Sequence, residues 1–151
     1  MKSTRYLQRS LAYDGYPTLT VAELAPYQVE DKTVQKYSLE TYDVNAFTRI
    51  LFESLDKRIM NLSPAVKKEY KKLYVAYKLD TNFVDIVFQK QRLRISINMK
   101  FSEINDPNGI CKDITGLGRW GNGDVELFME HQDELDQIME IVKQSFDAQA
   151  E

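Results

Sequence analysis

The stretch Leu73–Ile97, LYVAYKLDTNFVDIVFQKQRLRISI, decides the fold of this chain. Apolar and polar residues alternate through three successive segments, which is typical of half-buried strands. Asp80–Thr81 and Lys90–Gln91 stand where short turns would join these strands into two hairpins, although a four-residue loop of the same parity would serve equally at the second. Antiparallel pairing then predicts one all-apolar face. Its pairs are Tyr77 with Val84, Val75 with Ile86, Leu73 with Phe88, Phe88 with Leu93, Ile86 with Ile95, and Val84 with Ile97.

The same register defines the reverse face of the sheet. A slip of one residue would bring Arg92, Arg94 or Lys78 into the core, so the register is well specified. A sheet face that is fully exposed to water would not carry apolar residues such as Phe83 and Val87. We therefore expect either the N-terminal segment or a ligand to cover this face. Its four expected rows are Lys72, Gln89 and Arg92; Tyr74, Val87 and Arg94; Ala76, Asp85 and Ser96; and Lys78, Phe83 and Asn98.

Helices are predicted before and after the strands. Val44–Asn61 follows Asp43 as N-cap, and Asp133–Gln149 has an acidic outer face. Between the first helix and the strands, Ser63 and Pro64 predict a short helix that carries several lysines. The first helix has an apolar stripe at helical spacing. Its members are Phe47, Ile50, Leu51, Leu55, Ile59 and Leu62.

The apolar stripes of the two helices and the apolar face of the sheet can be buried only by packing against one another. The predicted fold class is therefore α+β, with two layers: an antiparallel sheet of about four to five strands and two main helices packed on one face. Ile110–Thr115 and Val125–Met129 complete the sheet on either side of a glycine-rich loop. Residues 43–151 are predicted to form this single domain. Residues 1–42, rich in tyrosine, are predicted to be an ordered N-terminal arm or the tail of an upstream domain.

Composition excludes several classes of protein. With one cysteine and one histidine in 151 residues, the chain can form no internal disulfide, no Cys/His zinc cluster and no CxxC redox site. No apolar run approaches the length of a membrane span, and Met1–Arg9 is unlike a signal peptide. We therefore expect a cytoplasmic globular protein without a cofactor, a metal or a membrane partner.

The net charge of −3 hides a strong segregation. Lys57–Lys100 contains eleven basic and three acidic residues, whereas Phe101–Glu151 contains three basic and twelve acidic residues. Such asymmetry can mark a surface for an anionic partner, or two segments that attract each other in the fold.

The reverse face of the sheet combines bases with aromatic rings. Bases attract phosphate and aromatic rings stack on nucleobases, so this face is a candidate nucleic-acid platform. Its candidate binding residues are Lys72, Tyr74, Lys78, Arg92 and Arg94.

The glycine-rich loop matches GxGxxG at Gly116–Gly121. This pattern is typical of dinucleotide-binding sites, in which a helix follows the loop. Here a strand follows the loop, so a dinucleotide site is not predicted. The loop instead presents Arg119 and Trp120, and the indole either anchors the loop on the core or stacks on a flat ligand. The candidate loop residues are Gly116, Gly118, Arg119, Trp120 and Asp124.

Catalytic residues are not predicted. Asp/Glu-x-Lys, half of a nuclease signature, occurs at Glu30–Lys32 and Glu69–Lys71, but neither lies on a predicted strand beside a second carboxylate. His131, at the start of the last helix, is expected to be a surface or capping residue. An enzyme acting near Asp113 and Asp124 remains the third hypothesis.

Two stretches, Lys71–Lys78 with Asn82–Val84 and Asp113–Glu126, resemble an uncharacterised bacterial domain family, some of whose members are labelled predicted transport protein. Members stand alone or follow restriction-type and ParB-like nuclease modules in defence proteins. The resemblance covers residues 37–146 and departs at Arg119, where the family has histidine before tryptophan. It implies a role in nucleic-acid processing, beside an upstream nuclease-like domain or a partner protein, but no reaction.

The leading hypothesis is a non-catalytic accessory domain that binds nucleic acid and is associated with restriction- or defence-type DNA-acting proteins. The alternative is a protein–protein interaction module that docks a partner protein through its sheet face or its acidic last helix.

Overall fold

The computed structural model describes residues 36–117 and 123–150, which belong to one compact unit. These residues form a six-stranded sheet with strand order β1-β2-β3-β4-β6-β5, every neighbouring pair antiparallel, and two α-helices. The α+β prediction is confirmed, with slightly more strands than expected. The strands are β1 (Lys67–Tyr70), β2 (Val75–Lys78), β3 (Asn82–Phe88), β4 (Leu93–Ile97), β5 (Lys112–Asp113) and β6 (Val125–Met129), and the helices are α1 (Ala46–Met60) and α2 (Leu135–Ala150).

The predicted register of the central strands is confirmed. Val75 opposes Ile86, which opposes Ile95, and Val84 opposes both Tyr77 and Ile97. The second hairpin closes around Lys90 and Gln91, because the Gln89 N–H donates to the Arg92 carbonyl at 2.9 Å. The expected pair of Leu73 with Phe88 is wrong, since β2 begins at Val75 and Leu73 is exposed in the preceding turn.

A β-bulge turns Phe83 to the helical side of the sheet. Lys78 pairs with Asn82 and Tyr77 with Val84, so Phe83 is an extra residue on β3. The placement of Phe83 on the reverse face is therefore wrong, because alternation fails at a bulge. Its ring is fully buried and meets Phe146 of α2 edge-on, with the ring centroids 5.5 Å apart.

Helix α1 begins two residues later than predicted and buries a different face. Asn45, not Asp43, is the N-cap, and its Oδ1 accepts a hydrogen bond from the Thr48 N–H at 2.9 Å. Phe47 and Ile50 belong to the predicted apolar stripe but are exposed. The residues of α1 that face the core are Thr48, Leu51, Phe52, Leu55 and Ile59.

The predicted short helix after Ser63 is wrong, since Lys67–Tyr70 forms strand β1 at the edge of the sheet. A polar cluster holds this strand. Asp56 Oδ1 accepts from Tyr77 Oη at 2.7 Å and from Lys68 Nζ at 2.9 Å. Burial and the Asp56 carboxylate raise the pKa of Tyr77 well above its usual value, so the phenol keeps its proton and donates.

Neither described helix is long and apolar enough to cross a bilayer. Of the predicted arm at residues 1–42, residues 1–35 lie outside the described residues. Residues 39–41 form a 3-10 turn that leads into Tyr42.

Candidate functional site

The reverse face of the sheet carries a buried row of small and polar residues. Ala76, Asp85, Ser96 and Glu126 are aligned across β2, β3, β4 and β6, and none is more than 6% exposed. The first three follow the predicted rows. Strand β6 extends this row with Glu126. The predicted rows span only three strands and therefore do not include this carboxylate.

Three of the five candidate binding residues face carboxylates. Arg94 Nε lies 3.8 Å from Glu126 Oε1, and these two side chains are 17% and 1% exposed. Arg92 lies 3.8 Å from Glu130, and Lys78 Nζ lies 3.4 Å from Glu69 Oε1. Because each base has an acidic neighbour, the face offers much less positive potential than the basic residues alone would suggest.

Two hairpin tips place several exposed bases at one end of the sheet. The register brings the β1–β2 tip and the β3–β4 tip to the same end. We call Lys71, Lys72, Lys90 and Arg92 at these tips the hairpin-end surface. Lys72 and Lys90 are exposed, and neither has a carboxylate oxygen within 4.0 Å among residues 36–117 and 123–150.

The third exposed lysine, Lys71, contacts Glu69 at 3.1 Å. Hydrogen bonding and charge from Lys71 and the charge of Lys78 lower the pKa of Glu69, so this carboxylate stays ionised and offsets part of the basic edge. Asp43 adds a further carboxylate, because it lines the clefts on both sides of the hairpin-end surface. Lys72 and Lys90 are therefore the two bases of the hairpin-end surface that have no carboxylate oxygen within 4.0 Å in the described part of the chain.

Arg92 forms a preorganised stack. Its guanidinium carbon lies 3.7 Å from the ring centroid of Phe128, and its Nε donates to Gln89 Oε1 at 2.7 Å. The side chain remains 39% exposed. A guanidinium held in this way can offer its other face to a flat ring.

Tyr42 fixes the β1–β2 tip. Its hydroxyl lies within hydrogen-bonding distance of the carbonyl oxygens of Lys71 and Tyr74, and its ring packs 5.7 Å from that of Phe88. Burial, with a smaller contribution from neighbouring Tyr70, raises the pKa of Tyr42 to about 12, so the hydroxyl remains a donor. The candidate residue Tyr74 is half-buried at this tip.

A cleft of about 900 Å³ opens between the start of α1 and the β3–β4 tip. His131 lies in it, as expected for a surface residue, and its backbone N–H donates to Glu134 Oε1 at 3.1 Å in the turn before α2. The lining residues are Asp43, Asn45, Ala46, Phe47, Lys90, Gln91, Glu130 and His131.

The glycine-rich loop is described only at its ends. Gly116 has φ +79°, and Asp124 pairs through its backbone with Ile114 and Met99. Gly118, Arg119 and Trp120 lie outside the described residues. Their predicted roles stay predictions.

Two of the carboxylates considered for catalysis, Asp113 and Glu69, have structural partners. Asp113 Oδ1 accepts from the Thr115 N–H and hydroxyl, which lowers the pKa of Asp113. Glu69 does lie on a strand, contrary to expectation, but within the described ranges no group of three or more His, Cys, Asp or Glu side chains is placed to hold a metal ion.

The half-buried Cys111 is a poor nucleophile. Burial, reinforced by Asp106, raises the pKa of its thiol to about 12. A thiol must lose its proton to attack, so this side chain stays unreactive near neutral pH.

Sequence reasoning missed Lys90 and Phe128 at this site. Lys90 was treated only as a turn residue, although a hairpin tip projects its side chains outward. Phe128 could have been found from the alternation of Val125–Met129, which places Glu126 and Phe128 on one face.

Comparison with known proteins places the chain in a family. The model of DUF5655, a domain of unknown function, matches residues 40–149, and the chain therefore belongs to this family. An uncharacterized protein of Haemophilus influenzae is 35% identical over 123 residues. That match covers 82% of this chain and 38% of the relative, so the chain spans less than half of the relative's length. No solved structure matches the chain.

Proposed function

We propose that this DUF5655 protein is a non-catalytic accessory domain that binds nucleic acid through the hairpin-end surface. The observation that carries the proposal is the pair of exposed lysines, Lys72 and Lys90, on two tips that share one end of the sheet. Lysine side chains on exposed tips can reach successive phosphates while keeping their long stems mobile.

A protective role does not account for these lysines. Lysines on an edge strand discourage pairing with other sheets, and this role fits Lys67 and Lys68 on β1. Lys72 and Lys90 lie beyond the strand ends, where they guard no free backbone edge. Their position fits contact with a partner.

The proposed interface differs from the one expected from sequence. Lys78 and Arg94 contribute little to it, because both face carboxylates and Arg94 is mostly buried. With two or three phosphate contacts, we expect binding in the range of non-specific complexes, with dissociation constants of about 10⁻⁴–10⁻⁶ M at physiological salt and tighter below it.

The proposal is tested by fluorescence anisotropy with labelled single-stranded and duplex oligonucleotides. We expect the double variant Lys72→Gln/Lys90→Gln to bind about tenfold more weakly at low salt, since two phosphate contacts are lost. The matched control is Lys100→Gln/Lys143→Gln, which removes the same charge from exposed positions away from the tips. Equal affinities for the two double variants would overturn the proposal.

Arg92 is expected to act through stacking more than through charge. Replacing it with lysine keeps the charge but removes the planar group above Phe128. We expect single-strand affinity to fall about fivefold with an unchanged salt slope, and duplex affinity to stay constant, because only unpaired bases can stack there. Arg58→Lys, on the helical side, is the matched control. Equal losses on duplex and single strand would instead indicate a phosphate contact.

The proposed accessory role follows from the family resemblance. The Haemophilus influenzae relative is longer than the matched region, since the match covers 38% of it. Our proposal is that the domain works beside a DNA-acting protein of the restriction or defence type and holds nucleic acid for it.

A second candidate function is a protein-interaction module. It is favoured by two large apolar side chains that α1 exposes, Ile50 and Phe47, of which Phe47 lines the cleft beside the β3–β4 tip.

A further inference from the structure

The two walls of the cleft beside the β3–β4 tip are tied to each other. Asn45, the N-cap of α1, donates from its side-chain amide to the Lys90 carbonyl oxygen at 2.7 Å. The same side chain accepts a hydrogen bond from the Thr48 N–H, so it links the first turn of α1 to the hairpin tip. The cleft is therefore preformed, and its volume of about 900 Å³ lies within the range of small-molecule sites, about 300–1,000 Å³.

An aromatic ring lines this cleft. Phe47 is 47% exposed, so much of its ring is available to a ligand. Ile50, one turn further along α1, is exposed to a similar degree, 53%, but is not among the residues that line the cleft. An exposed flat ring beside polar groups suits a planar ligand, because aromatic faces stack on one another.

The charges of the cleft favour a nucleobase over a phosphate. Lys90 lines the cleft and also belongs to the hairpin-end surface, so the two are continuous. Asp43 and Glu130 line it as well, and carboxylates repel phosphate but accept hydrogen bonds from the amino group of a base. Glu130 lies 3.8 Å from Arg92, beyond hydrogen-bonding distance, which leaves its oxygens able to accept from a ligand.

We propose that the cleft receives an unpaired, amino-bearing nucleobase of a single strand whose phosphates lie on the hairpin-end surface. This inference rests on the proposed function and narrows its ligand from nucleic acid in general to single-stranded segments. The base stacks on Phe47, and its amino group donates to the carboxylates of Asp43 and Glu130. A duplex cannot place a base in the cleft, because each of its bases is already stacked and paired.

Anisotropy titrations of the full chain with labelled oligo(dC) test the stacking contact. We expect Phe47→Leu, which keeps an apolar side chain but loses the flat ring, to bind about tenfold more weakly, whereas Phe47→Trp should bind at least as tightly as the wild type. Ile50→Ala is the control, since it removes exposed apolar surface from the same helix outside the cleft, and its affinity should be unchanged. All three variants should keep the wild-type affinity for duplex, which also reports that they are folded.

A comparison of oligo(dC) with oligo(dT) tests the carboxylates. Thymine has a carbonyl oxygen where cytosine has its amino group, so the wild-type protein should bind oligo(dC) about fivefold more tightly. The double variant Asp43→Asn/Glu130→Gln should bring this ratio close to one. Its affinity for both oligonucleotides should rise, because two negative charges near Lys90 are removed.

The outcomes separate this inference from the proposed function. A wild-type protein that binds neither oligo(dC) nor duplex overturns both. If Lys72→Gln/Lys90→Gln weakens binding and Phe47→Leu does not, the hairpin-end surface holds phosphate and the inference about the cleft is wrong. The same conclusion follows if Phe47→Leu loses as much affinity for duplex as for oligo(dC), or if the wild-type protein does not distinguish oligo(dC) from oligo(dT).

Discussion

Replacing Gly123 with alanine is expected to destabilise the domain by about 3 kcal/mol or more. Gly123 has φ +94°, a backbone conformation that side chains rarely adopt. A Cβ atom there would overlap the Ile97 carbonyl oxygen and lie 2.5 Å from Asn98 Cα. Both obstacles belong to the backbone at the end of β4, so relief requires moving the strand or the loop.

Two other glycines provide the controls. Gly109 and Gly116 also have positive φ, +64° and +79°, but a Cβ at either would meet nothing within 4 Å. Alanine at these positions should cost about 1 kcal/mol, the penalty of the backbone conformation alone. Urea denaturation measures all three variants. A Gly123→Ala protein as stable as Gly116→Ala would show that the loop does not approach β4 this closely.

The second large effect is expected at the bulge. Phe83→Ala should reduce the free energy of unfolding by about 3–5 kcal/mol, because the side chain is fully buried and its removal leaves a cavity beside Phe146. Val87, half-buried on the reverse face, is the comparison, and Val87→Ala should cost about 1 kcal/mol. Denaturation of both variants tests whether Phe83 faces the helices. If Phe83→Ala destabilised the protein no more than Val87→Ala, Phe83 would lie on the reverse face, as simple alternation along β3 predicts.

The register of the central strands could be predicted because each apolar pair is encoded by residues close in sequence. Val84, Ile86 and their partners alternate without interruption, and any slip would bury charge. The bulge could not be predicted in this way. It is held by α2, where Ser145 Oγ donates to the Phe83 carbonyl at 3.0 Å and Gln149 Nε2 donates to the Asn82 carbonyl at 2.9 Å.

The sequence predicts a helix where the structure has strand β1, for a similar reason. Lys67–Tyr70 has no alternation, and the preceding Ser63–Pro64 is typical of a helix start. Pairing with β2 and the bond from Lys68 to Asp56 override that local preference. The Lys68–Asp56 bond spans 12 positions, and the β1–β2 pairs join Lys67–Tyr70 to residues outside this stretch, so neither is visible in the pattern of Lys67–Tyr70 itself.

Only part of the candidate site could be predicted from the sequence. The alternation of β4 correctly predicts that Arg94 lies on the reverse face, but its neutralisation depends on Glu126 of β6. Strand β6 comes more than thirty residues later, and nothing in β4 indicates that it pairs there. The order of strands therefore decides which bases have a carboxylate neighbour and which do not. Lys72 and Lys90, at the hairpin tips, are left without one in the described part of the chain.

The salt dependence of wild-type binding to a labelled single-stranded oligonucleotide tests the central claim most directly. With about three phosphate contacts, the logarithm of the association constant should fall linearly with the logarithm of salt concentration, with a slope of about −2. Binding should be measurable at about 20 mM salt and weak at about 200 mM. No binding to single strands or duplex at the lower concentration, or an affinity that salt leaves unchanged, would contradict the account.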